Sequence, residues 1–534
     1  MNSRVTVAQG LADILYGLGV QFIFGTAGDT ILHFLASLGK HPLRFIQLRS
    51  EESAAYAASA FSKLTGGIGV VVSHAGPGAG HLVNGLADAM KDKVPVFAIT
   101  GQVESFYIGT SHKQYINQQK LLGAVTIRSE LLASPSSLQT VTVDLLRTSV
   151  SQAGPVHLSI PKDFWQQEID PVTANTEPYL YEAPRSSDDV ISEAAAWISG
   201  LQKPLILAGR GASGAVAQLL ALAELLGAGV VRSLPLAGVL PEHSLVVGGI
   251  GEGGAEASIE LLQQCDGLIK VGATYWPPDL TSDDKQVLSI DAHPANIGRG
   301  IPADFGVVGD ARLVLSALHD KLIGTKQRRA WRKTVEKYAA DWRKRLEGEL
   351  QRSSDLYPGR AMRILSDFAD ANAVICLDVG DHVLWFNRFF QGKGQRILVS
   401  GRWRGMGFSL GASIAAKLTE RDTQVICVVG DGGFSMLMGE FVSAVELGLP
   451  IIYVLMNNRS YAMEANAMAS AGLDPIGVSL QDIRYDLVAQ ACGGVGCRIT
   501  PGELGETLEE IRGMDKPVLI DLLVDPTALP TAKL

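Results

Sequence analysis

Residues 425–440 read VICVVGDGGFSMLMGE, an apolar stretch that runs into an aspartate among glycines. Val425 to Val429 predicts a buried strand, because strands of parallel sheets are apolar on both faces. Glycines after a strand let the backbone approach a phosphate closely, and a helix N-terminus favours an anion. We expect that helix to begin near Met436. The stretch therefore predicts a phosphate site at the carboxyl end of a parallel strand.

The aspartate in this loop predicts a metal ion as well. A carboxylate beside a phosphate is explained when a hard divalent cation bridges their oxygens, as Mg²⁺ does. A second apolar strand, from Ile451 to Met456, ends in Asn457-Asn458, whose amide oxygen could join Asp431 on the cation. Each element alone is more typical of an ordinary turn. Together they mark the sheet edge at which open α/β sheets bind ligands.

The same alternation of short apolar strands and helices extends along the chain and predicts an α/β protein with doubly wound parallel sheets. Two changes in composition divide it. The segment 170–189 is rich in Pro, Ser, Thr and acidic residues and predicts a linker. The segment 326–352 is dense in Lys, Arg and Glu and predicts a solvated helix. We therefore expect three domains, at 1–170, 189–325 and 355–534.

Composition limits the classes of protein to be considered. Of 534 residues, 47% are hydrophobic and 19% are charged, and the net charge is −9. This excludes a disordered chain, and it argues against nucleic acid as a partner because no basic excess would neutralise phosphates. No stretch reaches about 18 uninterrupted apolar residues, and we see no signal peptide. With five scattered cysteines and no CxxC, we expect free thiols and a cytoplasmic protein with no membrane partner.

The spacing of the glycine and asparagine motifs resembles a known signature. Gly430-Asp431-Gly432, then 24 residues, then Asn457-Asn458 is similar to the thiamine diphosphate motif. Nearly the whole chain resembles the thiamine diphosphate-dependent 2-oxo acid decarboxylases and carboligases, the group of acetolactate synthase, pyruvate oxidase and benzoylformate decarboxylase. The resemblance implies an N-terminal pyrimidine-binding domain, a middle domain and a C-terminal domain that binds diphosphate and magnesium.

In the last domain the resemblance implies roles for single residues. Asp431, Asn458 and the backbone carbonyl of Ser460 would hold Mg²⁺ on the diphosphate, and Gly433 would lie beside it with the other glycines of the motif.

A further match in the last domain is Gly405-Met406-Gly407-Phe408. By the resemblance, Met406 would be the apolar wedge that bends the cofactor, and the carbonyl of Arg404 would receive its amino group. A methionine in such a turn is otherwise typical of simple core contacts.

In the first domain, residues 48–55 read LRSEESAA at the start of an Ala-rich helix. By the resemblance, Glu51 hydrogen-bonds the pyrimidine ring nitrogen of the cofactor and so activates it. Acidic residues there otherwise favour a helix N-terminus. The family usually has His before this glutamate, and Ser50 takes its place here. Since the family builds its site between subunits, a homodimer or homotetramer is implied.

Five more polar residues match positions near the family's substrate. Asp29 matches an acid position of pyruvate decarboxylases and of some oxidases. His74 matches a histidine of benzoylformate decarboxylase, and Glu464 matches a glutamate of pyruvate-type decarboxylases. Gln114 is kept from the pattern of oxidases and synthases, whereas Lys113 replaces a bulky aromatic residue. Each has an ordinary alternative: His74 as a turn residue, Glu464 on a helix surface and Lys113 in solvent. A basic Lys113 favours an anionic substrate, and His74 and Glu464 would supply protons.

The resemblance leaves several reactions open, because one enamine can be protonated, can attack a second carbonyl or can pass electrons to a flavin. We favour non-oxidative decarboxylation of a 2-oxo acid, with carboligation to an acceptor as an extension. The alternatives are acetolactate synthase, FAD-dependent pyruvate oxidase and a non-catalytic cofactor-binding relative. The middle domain has Gly-rich turns at 208–211 and 248–253, and its segments 271–275 and 290–294 resemble those around FAD in pyruvate oxidases and acetolactate synthases, so FAD is a possible further cofactor.

Overall fold

The computed structural model describes residues 4–172, 183–276 and 285–526, so half of the linker predicted at 170–189 lies outside the described residues. Three six-stranded sheets, all parallel, follow one another along the chain with helices on both faces. This is the α/β architecture expected from the sequence. The domain boundaries remain predictions.

The first sheet has the strand order β3-β2-β4-β5-β7-β6, and β1 pairs antiparallel with β8 beside it. Its elements are β1 (Val5–Thr6), α1 (Val7–Gly17), β2 (Phe22–Gly25), α2 (Leu32–Leu38), β3 (Arg44–Gln47), α3 (Glu51–Thr65), β4 (Gly69–Ser73), α4 (Pro77–Asp92), β5 (Val96–Gln102), α5 (Gln118–Leu122), β6 (Arg128–Leu131), α6 (Leu138–Gln152), β7 (Pro155–Pro161) and β8 (Glu168–Ile169).

The second sheet has the order β11-β10-β9-β12-β13-β14. Its elements are α7 (Asp188–Gly200), β9 (Pro204–Ala208), α8 (Val216–Leu226), β10 (Gly229–Arg232), β11 (Val246–Gly249), α9 (Glu256–Gln264), β12 (Gly267–Val271), β13 (Gln286–Asp291), β14 (Phe305–Val308) and α10 (Ala311–Leu322), followed by the long connecting helix α11 (Arg329–Arg352). The chain starts at β9 and proceeds in both directions, so the sheet has a topological switch point between β9 and β12.

The third sheet has the order β16-β15-β17-β18-β20-β19. Its elements are α12 (Pro358–Phe368), β15 (Val374–Leu377), α13 (His382–Phe389), β16 (Arg396–Val399), α14 (Phe408–Thr419), β17 (Val425–Gly430), α15 (Asp431–Leu437), α16 (Gly439–Glu446), β18 (Ile452–Asn457), α17 (Ala462–Ser470), α18 (Tyr485–Ala491), β19 (Val495–Ile499), α19 (Leu504–Ile511) and β20 (Val518–Leu523).

The first and last domains share one hydrophobic core, built around the contact of α3 with α14. The two backbones approach closely at Gly411, where an added Cβ would lie 2.4 Å from the carbonyl oxygen of Ser53. Ala57 on α3 is fully buried, and its backbone nitrogen lies 3.2 Å from the same added Cβ. Small residues on both helices therefore fix how the two cofactor-binding domains sit on each other.

Two expectations from the sequence are wrong in detail. The helix after the glycine loop begins at Asp431 and not near Met436, with Gly430 as its extended N-cap. The charged helix α11 is not solvated all round, because one stripe, including Trp331, Val335 and Trp342, is buried against the middle domain. Charged residues fill only its outer face.

Candidate active site

Asp431, Asn458 and Ser460 lie together at the carboxyl ends of β17 and β18, as the sequence motif predicts. Asp431 and Asn458 are both almost fully buried. The Ser460 N–H donates to Asn458 Oδ1 over 3.0 Å, and Asn458 Nδ2 donates to the Asp381 carboxylate over 3.2 Å. Between them Arg459 has φ 58°, a left-handed conformation that turns the chain back on the asparagine.

The electrostatics of this edge fit a cation. Asp431 Oδ2 is buried and has no hydrogen-bond partner. Burial raises the pKa of Asp431 to about 7, and Asp381 adds to this as a like charge. Burial also raises the pKa of Asp381 to about 6. Two carboxylates at close range are costly without a positive charge, and an oxygen-rich site suits Mg²⁺. Asp431, Asn458 and the Ser460 carbonyl would hold it.

In the described part of the chain there is no cluster of three or more His, Cys, Asp or Glu residues suited to a metal. The donor set at Asp431 therefore depends on amide and carbonyl oxygens, with further oxygens left to a phosphate ligand.

A third strand end contributes to this site and was not predicted from the sequence. Residues Asp378 to His382 follow β15, directly beside β17. The His382 ring is buried, both its nitrogens lack hydrogen-bond partners, and a Cβ on Gly430 would lie 3.3 Å from its Nδ1. The ring adjoins the glycine loop, and because burial lowers the pKa of His382 to about 4, the neutral ring has one N–H that could donate to an anion. The signal was available, since Val374 to Leu377 is another apolar strand that ends in polar residues.

The turn at Met406 is held by the same strand end. Both carboxylate oxygens of Asp378 accept the Gly407 N–H over 2.9 Å, and a Cβ on Gly433 would lie 2.7 Å from that carboxylate. Arg404 has φ 57° and Gly407 φ 84°, so two left-handed residues frame Met406. Glycine adopts this conformation freely, whereas the strain at Arg404 persists only where surrounding contacts hold it, which is common at ligand sites.

Glu51, in the first domain, begins α3 at the carboxyl edge of the first sheet. Its carboxylate accepts the Thr26 hydroxyl on Oε1 and contacts His81 Nδ1 over 2.9 Å on Oε2. Burial by itself raises the pKa of Glu51, but the hydrogen bonds from Thr26 and His81 leave it below its ordinary value. Glu51 is thus a partly buried, ionised carboxylate held on both oxygens.

His74 lies beside Glu51, since a Cβ on Gly78 would touch both side chains at 3.2 Å. The Thr30 backbone N–H donates to His74 Nδ1 over 3.3 Å, and the Thr30 hydroxyl lies 3.0 Å from the same atom. That hydroxyl also accepts the Ala75 N–H over 3.0 Å, so its own proton is free for Nδ1. Nδ1 is therefore occupied, and the neutral ring carries its proton on Nε2.

Three exposed residues surround Glu51 and His74 on the outer side of the first domain: Asp29, Lys113 and Gln114. Asp29 pairs with Lys162 over 2.7 Å, and this hydrogen bond, with smaller effects from His74 and Lys113, lowers its pKa. Gln114 has φ 64° and packs on Gly76, where a Cβ would lie 2.7 Å from its carbonyl oxygen. The structure thus brings Asp29, His74, Lys113 and Gln114 around Glu51, while their roles remain predictions.

Glu464 lies in the last domain, as Asp431 and Asn458 do. It lies exposed in the first turn of α17, in the last domain, next to Met463. Hydrogen bonds next to Glu51 connect the site residues of the first domain to the last domain. The Glu440 carboxylate accepts the N–H groups of Arg49 and Ser50 there, over 3.1 Å and 3.0 Å. The role predicted for Glu464 therefore remains a prediction.

A cavity of about 490 Å³ lies where the three domains meet, at the switch point of the middle sheet. Its lining includes eight Lys or Arg and four Asp or Glu side chains, an excess that favours an anionic ligand. Gly209 and Gly272 meet there at the ends of β9 and β12, and a Cβ on Gly209 would lie 2.4 Å from Ala273 Cα. Arg404 and Met463 reach the same cavity from the last domain.

Comparisons with known proteins match this geometry. Family models of thiamine pyrophosphate enzymes match residues 5–121 as the N-terminal TPP binding domain, 191–318 as the central domain and 378–522 as the C-terminal TPP binding domain. No helix in the described ranges has the length and apolar character needed to cross a membrane.

Three relatives illustrate the likeness over the whole chain. YdaP of Bacillus subtilis (strain 168), named for containing thiamine pyrophosphate, is 34% identical over 97% of this chain and 92% of its own length. The acetolactate synthase large subunit of Lactococcus lactis subsp. lactis is 29% identical over 97% and 92%. The pyruvate oxidase of Lactiplantibacillus plantarum is 27% identical over 100% and 91%.

Proposed function

This chain belongs to the thiamine pyrophosphate enzymes, in the family of 2-oxo acid decarboxylases and carboligases, and from that premise we propose that it catalyses magnesium-dependent, non-oxidative decarboxylation of a 2-oxo acid. The observation that carries the proposal is His74, a proton-bearing ring beside Glu51 whose Nδ1 is occupied by Thr30. Such a group suits protonation of the carbon that CO₂ leaves, which defines the non-oxidative outcome.

Thiamine diphosphate, when bound, would supply a nucleophilic carbon and a sink for the electron pair that decarboxylation releases. Glu51 would exchange a proton with the pyrimidine ring, and its lowered pKa supports the ionised form as its resting state. Asp431, Asn458 and Ser460 would hold the metal and thereby the diphosphate end.

His74 supports the last proton transfer through its tautomer. The Thr30 backbone N–H donates to Nδ1 and the Thr30 hydroxyl can donate to the same atom, so the ring proton lies on Nε2. Nε2 is the nitrogen that Thr30 leaves for a substrate. The exposed Lys113 at the rim supports an anionic substrate such as a 2-oxo acid. Glu464 is a second proton donor in this proposal.

We also propose that the enzyme works as a homodimer or homotetramer in the cytoplasm, with Glu51 and Asp431 of different subunits at one cofactor. Large apolar side chains are exposed in the first and last domains. They support a partner subunit, because exposed apolar surface does not stabilise a single chain. They include Leu32, Phe106 and Ile116 in the first domain and Met436 and Met438 in the last, exposed by 41% to 68%.

FAD is the further cofactor that the cavity between the domains supports. The basic lining suits its phosphates, and the glycine contacts at the ends of β9 and β12 resemble other dinucleotide cradles. The volume of about 490 Å³ lies within the range of roughly 300–1,000 Å³ usual for cofactor sites. Bound flavin would favour the oxidase alternative. A yellow purified protein with flavin absorbance would show that FAD is bound.

The test is a panel of 2-oxo acids assayed for CO₂ release with thiamine diphosphate and Mg²⁺. We expect release without any electron acceptor, with an aldehyde as product. Release that requires a redox dye would favour the oxidase, and 2-acetolactate from pyruvate would favour the synthase. No release with any acid or acceptor would contradict the proposal and favour a non-catalytic relative.

A further inference from the structure

The carboxylate of Glu51 is held by a residue that its assigned role does not account for. His81, on α4, places Nδ1 2.9 Å from Glu51 Oε2. The other oxygen, Oε1, takes the Thr26 hydroxyl. The Glu51 side chain is 14% exposed and that of His81 65% exposed, so the histidine covers the outer side of the carboxylate.

Helix contacts fix the position of His81. Helices α3 and α4 touch at Gly85, where an added Cβ would lie 2.4 Å from the Cβ of Ala55. One turn earlier on both helices, His81 faces Glu51, because residues four apart lie on one face. The approach of the two backbones at Gly85 therefore sets the distance between the imidazole and the carboxylate.

The other charged groups nearby are engaged elsewhere. Glu52 accepts a hydrogen bond from Asn84 over 2.6 Å, and Arg49 pairs with Glu446. His74, behind Gly78, is bonded to Thr30. Of the titratable groups packed around this carboxylate, His81 is the one in direct contact with it.

We propose that His81 is a positioning residue for Glu51: its ring N–H fixes the plane of the carboxylate and favours the ionised form. The proton that Glu51 exchanges with the cofactor ring is then biased toward the ring nitrogen. The proton leaves the Glu51 oxygen and joins that nitrogen, so charge and atoms balance. The inference rests on the proposed function, since it concerns the same carboxylate. The lowered pKa of Glu51, to which the His81 bond contributes, agrees with it.

The first test needs no cofactor. Glutamate carboxyl carbons labelled with ¹³C are titrated by NMR in the whole protein, and Glu51→Gln identifies the Glu51 signal. In His81→Leu we expect the midpoint to rise by about one pH unit, because a favourable contact with the charged form is lost. His81→Gln, which keeps a neutral N–H donor, should restore part of the shift. His319→Gln, on α10 of the middle domain, is the matched control and should change nothing.

The second test measures exchange of the cofactor's C2 proton for deuterium in the loaded enzyme. In His81→Leu we expect the acid limb of the pH profile of the exchange rate to move up by about one pH unit. At a pH below the midpoint, the exchange rate should therefore fall by about tenfold. Cofactor affinity should stay within about threefold, because His81 is not a ligand in this proposal.

An unchanged Glu51 midpoint in a folded His81→Leu protein overturns the inference, whatever the cofactor does. A raised midpoint in a protein that binds no thiamine diphosphate supports the contact and contradicts the proposed function, so the two failures are distinguishable.

Discussion

A buried carboxylate oxygen without a hydrogen-bond partner is costly unless a cation accompanies it, and Asp431 Oδ2 is in that position. Asp381 lies close enough to oppose its ionisation. We therefore expect Asp431→Asn to weaken magnesium-dependent binding of thiamine diphosphate by at least about 100-fold, more than loss of an outer-sphere partner costs. Calorimetric titration with and without EDTA measures it. Asp422→Asn, at an exposed position before β17, should bind normally.

His74 is the residue that separates the non-oxidative reaction from its alternatives. In His74→Ala we expect CO₂ release to slow by about 10²- to 10⁴-fold, because a positioned proton donor is lost. Thiamine diphosphate affinity should be unchanged. His33→Ala, at an exposed position on α2, is the control. A His74→Ala enzyme with normal decarboxylation would remove the proposed role.

His157 makes the fold itself sensitive to acid. It is fully buried between the hydroxyls of Thr100 and Ser129, and burial lowers its pKa to about 3. Since the unfolded ring has a pKa near 6.5, protons bind the unfolded state first as pH falls. Stability is then lost below about pH 6.5, by up to about 1.4 kcal/mol per pH unit.

Urea midpoints between pH 7 and 5 test this prediction. His157→Gln removes the titrating group, so the urea midpoint of this variant should fall less steeply with decreasing pH than the wild-type midpoint does. At pH 7 the midpoint of the variant should be the lower of the two. Equal slopes in the two proteins would assign the acid sensitivity to other groups.

At the scale of elements, the contact of α3 with α14 holds the two cofactor-binding domains together. Gly411→Ala would place a Cβ 2.4 Å from the Ser53 carbonyl oxygen. We expect a loss of about 1–3 kcal/mol in stability, because neither backbone can yield without moving its helix.

Gly80→Ala is the matched control for this substitution. Gly80 lies inside α4 with nothing within 4 Å of an added Cβ, so alanine should be neutral or stabilise by up to about 1 kcal/mol. Thermal unfolding of the two variants compares them directly. Equal stability of the Gly411 and Gly80 variants would mean that the helices adjust without cost.

Most strands could be predicted because buried parallel strands leave continuous apolar runs, as at Val425 to Gly430. The start of α15 could not. Gly432 and Gly433 favour a loop by local propensity. In the structure they are helical, and larger residues there would strike Tyr461 and Asp378, at 2.4 Å and 2.7 Å. Close contacts across the fold therefore account for the glycines at these positions, and the glycines do not mark a loop.

The juxtaposition of Asp431, Asn458 and Ser460 could be predicted because the residues belong to one motif within a short stretch of sequence. The contacts of His81 and Asp381 could not, because each depends on how separate elements pack. His81 reaches Glu51 through the register of α3 and α4. Asp381, after β15, reaches Asn458, after β18, because both strands pair with β17. Neither residue belongs to a sequence motif that identifies its partner.

At the scale of the whole molecule, the three sheets followed from the repeated strand and helix pattern, whereas the cavity between the domains did not. Its lining comes from all three domains, from Lys91 in the first to Arg404 in the last. The account's central claim belongs to this scale too: Glu51 of one chain and Asp431 of another serve one cofactor.

Heterodimers test that claim most directly. Chains carrying Glu51→Gln and Asp431→Asn are given different tags, co-expressed and purified through both tags. If sites form between chains, each heterodimer has one intact site, and we expect about half the wild-type rate of CO₂ release, with both homodimers inactive. A doubly substituted chain paired with the wild-type chain should then be inactive. The opposite pattern, an inactive first pair and a half-active second pair, would contradict the account.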